Sequence, residues 1–362
     1  GFQLKDSQKL YESLTINVGY QFDEVSVGNR DEINNPSFSR NVTEVLLTHA
    51  FIGEGVFETL DHKTFVQAGF RANYFEKFNM FVPEPRLQFS QQLFKNLRLE
   101  ILGEQKSQTL SQIIDLQNDF LGIEKRRWTL ANEENIPIQK SSQLSIGFVF
   151  KNKNWLISVD NFYKRVLGIT SSGQGFQNQF EYIRATGDYR VLGTELLVQK
   201  NFKRFYTWLS YTYNDNEYQF DQFSATSFSN NFELPHTFSW AGIYEWRQLK
   251  VALGSKWHSG RPVTTPATNA VDTSDPVNPS IIYNKANNAN LDNYFQLNFS
   301  ASREWDLGAN IRLQTSVALL NILNNRNVIN LFYRVNPADN TIESVKTYSL
   351  GRTPDINIRL TF

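Results

Sequence analysis

Alternation of apolar and polar side chains is the dominant pattern of this chain, and its last seven residues show it plainly. Ile356, Ile358, Leu360 and Phe362 are separated by single polar residues. Side chains of a β-strand point alternately to its two faces. The segment therefore predicts a strand with one apolar and one polar face that ends on an aromatic residue.

The same alternation recurs along the whole chain and predicts about fourteen strands. Helical periodicity is not sustained over any comparable length. The predicted strands span residues 10–22, 44–58, 64–76, 84–94, 96–108, 140–150, 154–168, 190–200, 204–216, 236–246, 248–258, 292–305, 310–336 and 341–362.

The connections between these strands alternate between short turns and long polar stretches. Short turns are predicted at residues 59–63, 95–96, 151–154, 201–204, 247–248 and 306–310. Long loops are predicted at residues 107–139, 170–189, 214–234, 259–290 and 326–340. Outer-membrane barrels have short periplasmic turns and long extracellular loops, so this rhythm predicts a transmembrane antiparallel β-barrel in a bacterial outer membrane. A soluble sandwich, propeller or β-helix would show more uniform repeats or glycine motifs.

Aromatic residues add a second regularity to the strands. One row flanks the short turns, and a second row lies about eight to ten residues further along, which corresponds to roughly 20–25 Å along a tilted barrel. An outer-membrane barrel carries an aromatic girdle at each edge of its apolar band. The predicted girdle residues are Trp155, Trp246, Trp257, Trp305 and Phe362.

Composition adjusts this interpretation in three ways. The 362 residues carry 36 basic and 36 acidic side chains, so no general attraction to nucleic acid is expected. The absence of cysteine excludes disulfides, thiolate metal sites and cysteine nucleophiles. The mean hydropathy of -0.43 is compatible with a barrel, because only alternate strand residues meet lipid.

Candidate chemistry is confined to binding. The four histidines lack metal-ligand spacing, no nucleophile motif is present, and we expect neither an enzyme nor a cofactor. Aromatic residues on long loops are the best ligand-binding candidates, since exposed loop aromatics are typical of recognition or loop packing. They are Phe176, Phe180, Tyr182, Phe220, Phe223, Phe228 and Tyr283. Arg126 and Arg127 belong to a basic loop cluster that could bind an anionic ligand or lipopolysaccharide phosphates.

A series of short motifs resembles the C-terminal barrel portion of TonB-dependent outer-membrane receptors, of the kind common in Bacteroidota. Each motif is weak alone, whereas their order and spacing over essentially the whole chain are fairly specific. The motifs lie at residues 85–87, 128–141, 193–196, 208–213, 235–239, 259–262, 320–327 and 351–354, followed by the final Phe362. Residues 291–294 depart from the family pattern, which often has an arginine and an aspartate there.

The resemblance implies a barrel of about 22 strands, occluded by an N-terminal plug domain. The chain would then be the C-terminal part of one barrel domain, with the plug and the first strands missing. It also implies a TonB-type energy transducer that pulls on a missing N-terminal segment. Arg86, Arg312 and Arg359 would face the lumen and contact the plug.

The expected function is energised import of a scarce ligand, such as a siderophore, glycan, peptide or cofactor. Outer-membrane lipid, lipopolysaccharide and a surface lipoprotein are expected as further partners. Three alternatives stay open: a passive porin, a barrel enzyme, and a component of a larger surface assembly. A porin would lack the plug, and an enzyme would need a Ser-His pair near the outer girdle.

Overall fold

The structure is a computed structural model that describes residues 1–34, 37–115, 125–174, 185–223, 225–274, 279–308, 311–336 and 338–362. It is all-β, as predicted. Its two short helices in these ranges are a 3-10 turn, Glu76–Phe78, and α1, Ser171–Gln174. Within the described ranges, no helix has the length and apolar character that a membrane crossing needs.

The described residues form antiparallel strands throughout. The strands are β1 (Phe2–Tyr11), β2 (Leu14–Asn34), β3 (Ser37–Glu58), β4 (Thr64–Phe75), β5 (Met80–Phe94), β6 (Leu97–Gln108), β7 (Leu110–Asp115), β8 (Lys125–Leu130), β9 (Gln139–Asn152), β10 (Trp155–Thr170), β11 (Thr186–Asn201), β12 (Phe205–Gln219), β13 (Ser227–Ser229), β14 (His236–Trp246), β15 (Leu249–His258), β16 (Pro262–Val263), β17 (Pro266–Asp272), β18 (Ser280–Tyr283), β19 (Ala289–Asn290), β20 (Tyr294–Gly308), β21 (Ile311–Leu320), β22 (Val328–Val335), β23 (Ile342–Tyr348) and β24 (Thr353–Thr361).

Contacts within the chain divide it into two compact units. The first unit comprises Gly1–Gly147, Phe162–Leu192 and Glu217–Phe228. The second unit comprises Phe148–Asn161, Gly193–Asn216 and Ser229–Phe362.

In the first unit, β1 to β6 pair in chain order, each antiparallel to the next. Their registers keep side chains of like polarity on the same face across the strands. The apolar face carries Val18, Phe51, Phe70, Leu87 and Ile101. The opposite face carries Asn17, Glu54, Gln67, Gln88 and Glu100.

The second unit repeats this division. Its part of β12 pairs with β14, and β15, β20, β21 and β24 follow in turn, all antiparallel. Leu209, Trp240, Leu253, Phe299, Val317 and Ile358 share the apolar face. Ser239, Lys256, Gln296, Ser316 and Asn357 share the polar face.

Within the described residues, other parts of each unit do not cover its apolar face. Phe70 is 55% exposed in the first unit, and Ile358 is 69% exposed in the second. A water-soluble sheet would bury such a face against a core, whereas a lipid-facing strand surface requires it to be exposed. The pattern therefore agrees with the predicted division between lipid and interior.

A buried apolar core of the first unit lies on the polar side of its sheet. Val27, Leu46, Phe75 and Val82 contribute from the strands, and residues 130–138 pack over them. Leu46 and Leu130 are fully buried. The sheet thus carries a small hydrophobic core where residues 130–138 cover it.

Most of the predicted strands are confirmed. The long loops predicted at residues 107–139 and 259–290 contain the short strands β7, β8 and β16 to β19, and three of the predicted strand spans are wrong. Residues 10–22 contain the turn between β1 and β2 in place of one continuous strand. Residues 310–336 are interrupted because Asn321 and Asn324 adopt positive φ values of 51° and 55°, which no strand accommodates. Residues 341–362 are likewise split into β23 and β24. The predicted turns at 95–96 and 247–248 are confirmed.

Candidate functional site

The polar face of the first unit is a hydrogen-bonded network. Glu54 accepts hydrogen bonds from Nδ2 of Asn17 at 2.8 Å and from Nε2 of Gln67 at 2.7 Å. Arg71 donates from Nη1 to Oε1 of Gln21 at 2.7 Å. The bonds to Glu54 join neighbouring strands and that of Arg71 reaches from β4 across β3 to β2, so the polar side chains are held in defined positions. The face can therefore present fixed polar groups to a ligand or to another domain.

The three arginines predicted to face the lumen lie on the polar faces of their sheets. Arg86 opposes Gly69 and Glu104, and it lines a cavity of about 290 Å³ with Glu54 and Gln67. Its Nη2 lies 3.6 Å from Oε2 of the buried Glu84. Arg312 opposes Thr361, and Arg359 opposes Gln314. Their contact with a plug domain stays a prediction.

Three of the loop aromatics form a buried cluster in the first unit. Phe220, Phe223 and Phe228 are at most 7% exposed and pack with Tyr218. The rings of Phe220 and Phe223 are stacked with centroids 4.8 Å apart. Their burial shows that these residues pack the loop in this conformation. A role of theirs in ligand binding stays a prediction.

The other predicted loop residues are less informative. Tyr283 on β18 meets the ring of Tyr333 edge-on, with centroids 6.4 Å apart. Arg127 lies on β8 and is partly buried, whereas only the backbone of Arg126 is described. Phe176, Phe180 and Tyr182 lie outside the described residues.

Three of the predicted girdle tryptophans each have a cation beside the ring. Nζ of Lys200 lies 4.2 Å from the ring centroid of Trp155. The guanidinium carbon of Arg303 lies 3.9 Å from the ring centroid of Trp305, and that of Arg247 lies 5.4 Å from the ring centroid of Trp246. Such pairs suit a membrane interface, where an aromatic ring meets lipid and a cation meets water or phosphate. Trp257 lies on the apolar face between Phe238 and Phe295, and Phe362 is 93% exposed.

A second group of polar residues converges near the C-terminal end of β15, in the second unit. Lys256 and His258 lie on the polar face of β15, and Tyr294 opposes His258 from β20. Arg261 follows in the loop after β15. Together with Asp292 these residues line a cavity of about 310 Å³. The register of β15 and β20 therefore builds a pocket with basic side chains.

The loop that carries Arg261 is fixed by a close backbone approach at Gly260. A Cβ atom at that position would lie 1.6 Å from the carbonyl oxygen of Leu291, so no other residue fits without displacement. The amide of Leu291 donates to the carbonyl of Arg261 at 2.9 Å, and the amide of Gly260 donates to Oδ1 of Asn293 at 3.2 Å. Two loop segments are thereby held together at the pocket.

The guanidinium of Arg261 is only partly satisfied. Nη2 donates to Oδ1 of Asn330 at 2.6 Å. Nε is buried and has no hydrogen-bond partner within the described ranges. Burial lowers the pKa of Arg261 from its usual value, but an arginine side chain stays protonated near neutral pH. The pocket therefore holds a fixed positive charge, and the Nε–H of Arg261 is a donor without an acceptor within the described ranges.

Sequence reasoning did not single out Lys256, His258 or Arg261 as site residues. The sequence signal nearest to the pocket is the motif at residues 259–262, where Gly260 directly precedes Arg261. Only the pairing of β15 with β20 shows which side chains share the pocket.

Comparison with known proteins supports the fold. No family model and no curated protein matches the chain. Solved structures do match. The ferric citrate transporter FecA has a TM-score of 0.65 at 11% identity, with coverage of 99% of this chain and 53% of FecA. The ferric yersiniabactin uptake receptor FyuA from Yersinia pestis gives 0.64 at 12% identity, with 99% and 53% coverage.

The outer membrane transporter YddB from Escherichia coli gives a TM-score of 0.62 at 11% identity, with 98% of this chain and 53% of YddB covered. The chain thus spans about half the length of the structures it matches. At this level of identity the likeness shows the fold, which is that of outer-membrane β-barrel transporters. The family resemblance drawn from the motifs is confirmed at this level, whereas an origin in Bacteroidota stays a prediction.

Proposed function

We propose that the chain is the barrel portion of a TonB-dependent outer-membrane importer. The observation that carries the proposal is the strand register within each unit, which puts apolar side chains on one exposed face and polar side chains on the other. The same chain matches transporters over 98–99% of its length. A wall with a lipid-facing and a polar side is what passage of a solute through a membrane requires.

In the proposed mechanism, the long loops capture the ligand and the polar face guides it. Arg86, Arg312 and Arg359 hold the plug domain through its carboxylates in the resting state. A TonB-type energy transducer pulls on the N-terminal segment, displaces the plug and opens the path. The protein supplies binding free energy and a gated route, and it catalyses no covalent step. The transported ligand belongs to the siderophore, glycan, peptide or cofactor classes.

The partners are those that the membrane location and the mechanism require. Outer-membrane lipid contacts the apolar faces, with lipopolysaccharide on the long-loop side. The cations beside Trp155 and Trp305 lie next to the short turns, in position for phospholipid phosphates on the periplasmic side. The plug and the transducer act from the interior and the periplasm. A surface lipoprotein is a further proposed partner on the loop side.

Conductance of the full-length protein in planar lipid bilayers tests the proposal against a passive porin. A plugged importer gives no steady open channel, whereas a porin conducts in the absence of any partner. The second arm measures binding of the purified protein to the periplasmic domain of the energy transducer from the same organism. Steady conductance together with no transducer binding would overturn the import proposal in favour of the porin.

A further inference from the structure

The pocket beside β15 has an excess of positive charge. The two cations Lys256 and Arg261 share the pocket with one carboxylate, that of Asp292, and His258 lies beside them. Neither Lys256 nor Arg261 makes an ion pair within the part of the chain that the structure describes. Lys250, at the other end of the same strand and on the same face, is paired with Glu245 at 3.0 Å. The unpaired cations are thus a property of the pocket and not of the strand.

Arg261 is built into this pocket and is not a mobile surface residue. Gly260 allows the close approach that fixes the loop, and Asn330 accepts one of the guanidinium hydrogen bonds. Nε remains buried without a partner within the described ranges. A buried charged donor without an acceptor is costly, and a bound carboxylate or phosphate oxygen would remove that cost.

The imidazole of His258 is held in one orientation. Its Nδ1 lies 2.8 Å from the carbonyl oxygen of Ser259, and a carbonyl only accepts, so Nδ1 carries the hydrogen. The ring is stacked on Tyr294 with centroids 4.7 Å apart and planes 8° apart. Stacking and the backbone bond fix the ring. With the hydrogen on Nδ1, Nε2 of the neutral ring is an acceptor, so His258 can receive a ligand hydroxyl while Lys256 and Arg261 supply the donors for an anionic oxygen.

We infer that the Lys256–His258–Arg261 pocket binds an anionic oxygen group, a carboxylate or a phosphate, of the ligand that the proposed importer carries. The inference rests on the proposed function for its physiological meaning, but the binding event itself does not. An arginine fork and a lysine on one side of a cavity recognise two or more oxygens of one ligand. The cavity volume of about 310 Å³ accommodates a small polyanion or the anionic part of a larger ligand.

Calorimetric titration of the full-length protein in detergent tests the inference, with citrate and inorganic pyrophosphate as separate probes. We expect saturable binding of at least one probe to the wild-type protein. Arg261→Gln and Lys256→Gln should each weaken it about tenfold, because each removes a charge-assisted contact. Lys250→Gln is the matched control and should leave binding unchanged. Which probe binds distinguishes carboxylate from phosphate recognition.

A second pair of measurements keeps the result interpretable. Arg261→Lys keeps the charge but loses the planar fork, so we expect intermediate affinity. Heat-modifiable migration in gels confirms that each variant is folded, and the exposed Lys256 provides the test if the Arg261 variants do not fold. The inference is overturned if neither probe binds, or if Lys256→Gln and Lys250→Gln have the same affinity. Binding that persists in a protein with steady conductance would refute import and leave the pocket intact.

Discussion

Asn321 ties the end of β21 to the segment before β24, and replacing it tests how the second unit is stabilised. The side chain is 1% exposed. Its Nδ2 donates to the carbonyls of Asn325 at 2.9 Å and Leu350 at 3.1 Å, and its Oδ1 accepts from the amide of Asn325 at 3.0 Å. The backbone has a φ of 51°, in the left-handed region.

Two separate costs are expected for Asn321→Ala. Loss of three partly buried hydrogen bonds to backbone groups costs about 3 kcal/mol, at about 1 kcal/mol each. Alanine in the left-handed region adds about 1 kcal/mol, since asparagine tolerates that region better. Glycine adopts the left-handed region readily, so Asn321→Gly should lose only the stability that the hydrogen bonds contribute, about 3 kcal/mol. Asn340 has a φ of 55° but is exposed, so Asn340→Ala should show only the backbone cost of about 1 kcal/mol.

Urea unfolding of the full-length protein from lipid vesicles, followed by tryptophan fluorescence, measures these differences. The expected order of unfolding free energy is wild type, then Asn340→Ala, then Asn321→Gly, then Asn321→Ala. Equal losses for the two alanine variants would show that the buried hydrogen bonds contribute nothing beyond the backbone preference. The reasoning about the turn would then be refuted.

Three further predictions use matched changes elsewhere in the chain. Val317→Arg places a charge on the apolar face and should cost about 2–4 kcal/mol or block assembly. Ala318→Arg places the same charge on the polar face and should be tolerated. The folded fraction of each variant in isolated outer membranes measures the difference. Gly260→Ala should displace the loop and abolish anion binding with little loss of folded protein, as titration and heat-modifiable migration would show. The pKa of Asp61 is lowered to about 2, chiefly by its hydrogen bond to the side chain of Lys63. Its stabilising effect is therefore present above about pH 4 and lost as the pH falls towards 2, so the unfolding midpoints of wild type and Asp61→Asn should converge in that range.

Much of the fold follows from the alternating pattern because each strand in a membrane wall has one face in lipid and one face away from it. The alternation alone places Phe70 and Gln67 on opposite faces of β4, and the neighbouring strands need not be known. Strand ends are harder to predict. Asn321 interrupts an apolar run that continues through Leu323, and nothing in the local pattern shows that its side chain bonds to Leu350, 29 residues away.

The candidate pocket shows the same limit more sharply. In the sequence, Lys256 is one of many polar residues in an alternating strand. It becomes a site candidate only because His258 lies opposite Tyr294 and Arg261 lines the same cavity. The predicted aromatic residues illustrate the converse. Phe220 and Phe223 lie in a polar loop, where exposure is expected from the sequence, yet they stack on each other and are buried. Aromatic rings of a loop can pack against one another, whereas the Nε of Arg261 still lacks an acceptor within the described ranges. An unpaired charge in a cavity is therefore better evidence for a ligand site here than the aromatic content of a loop.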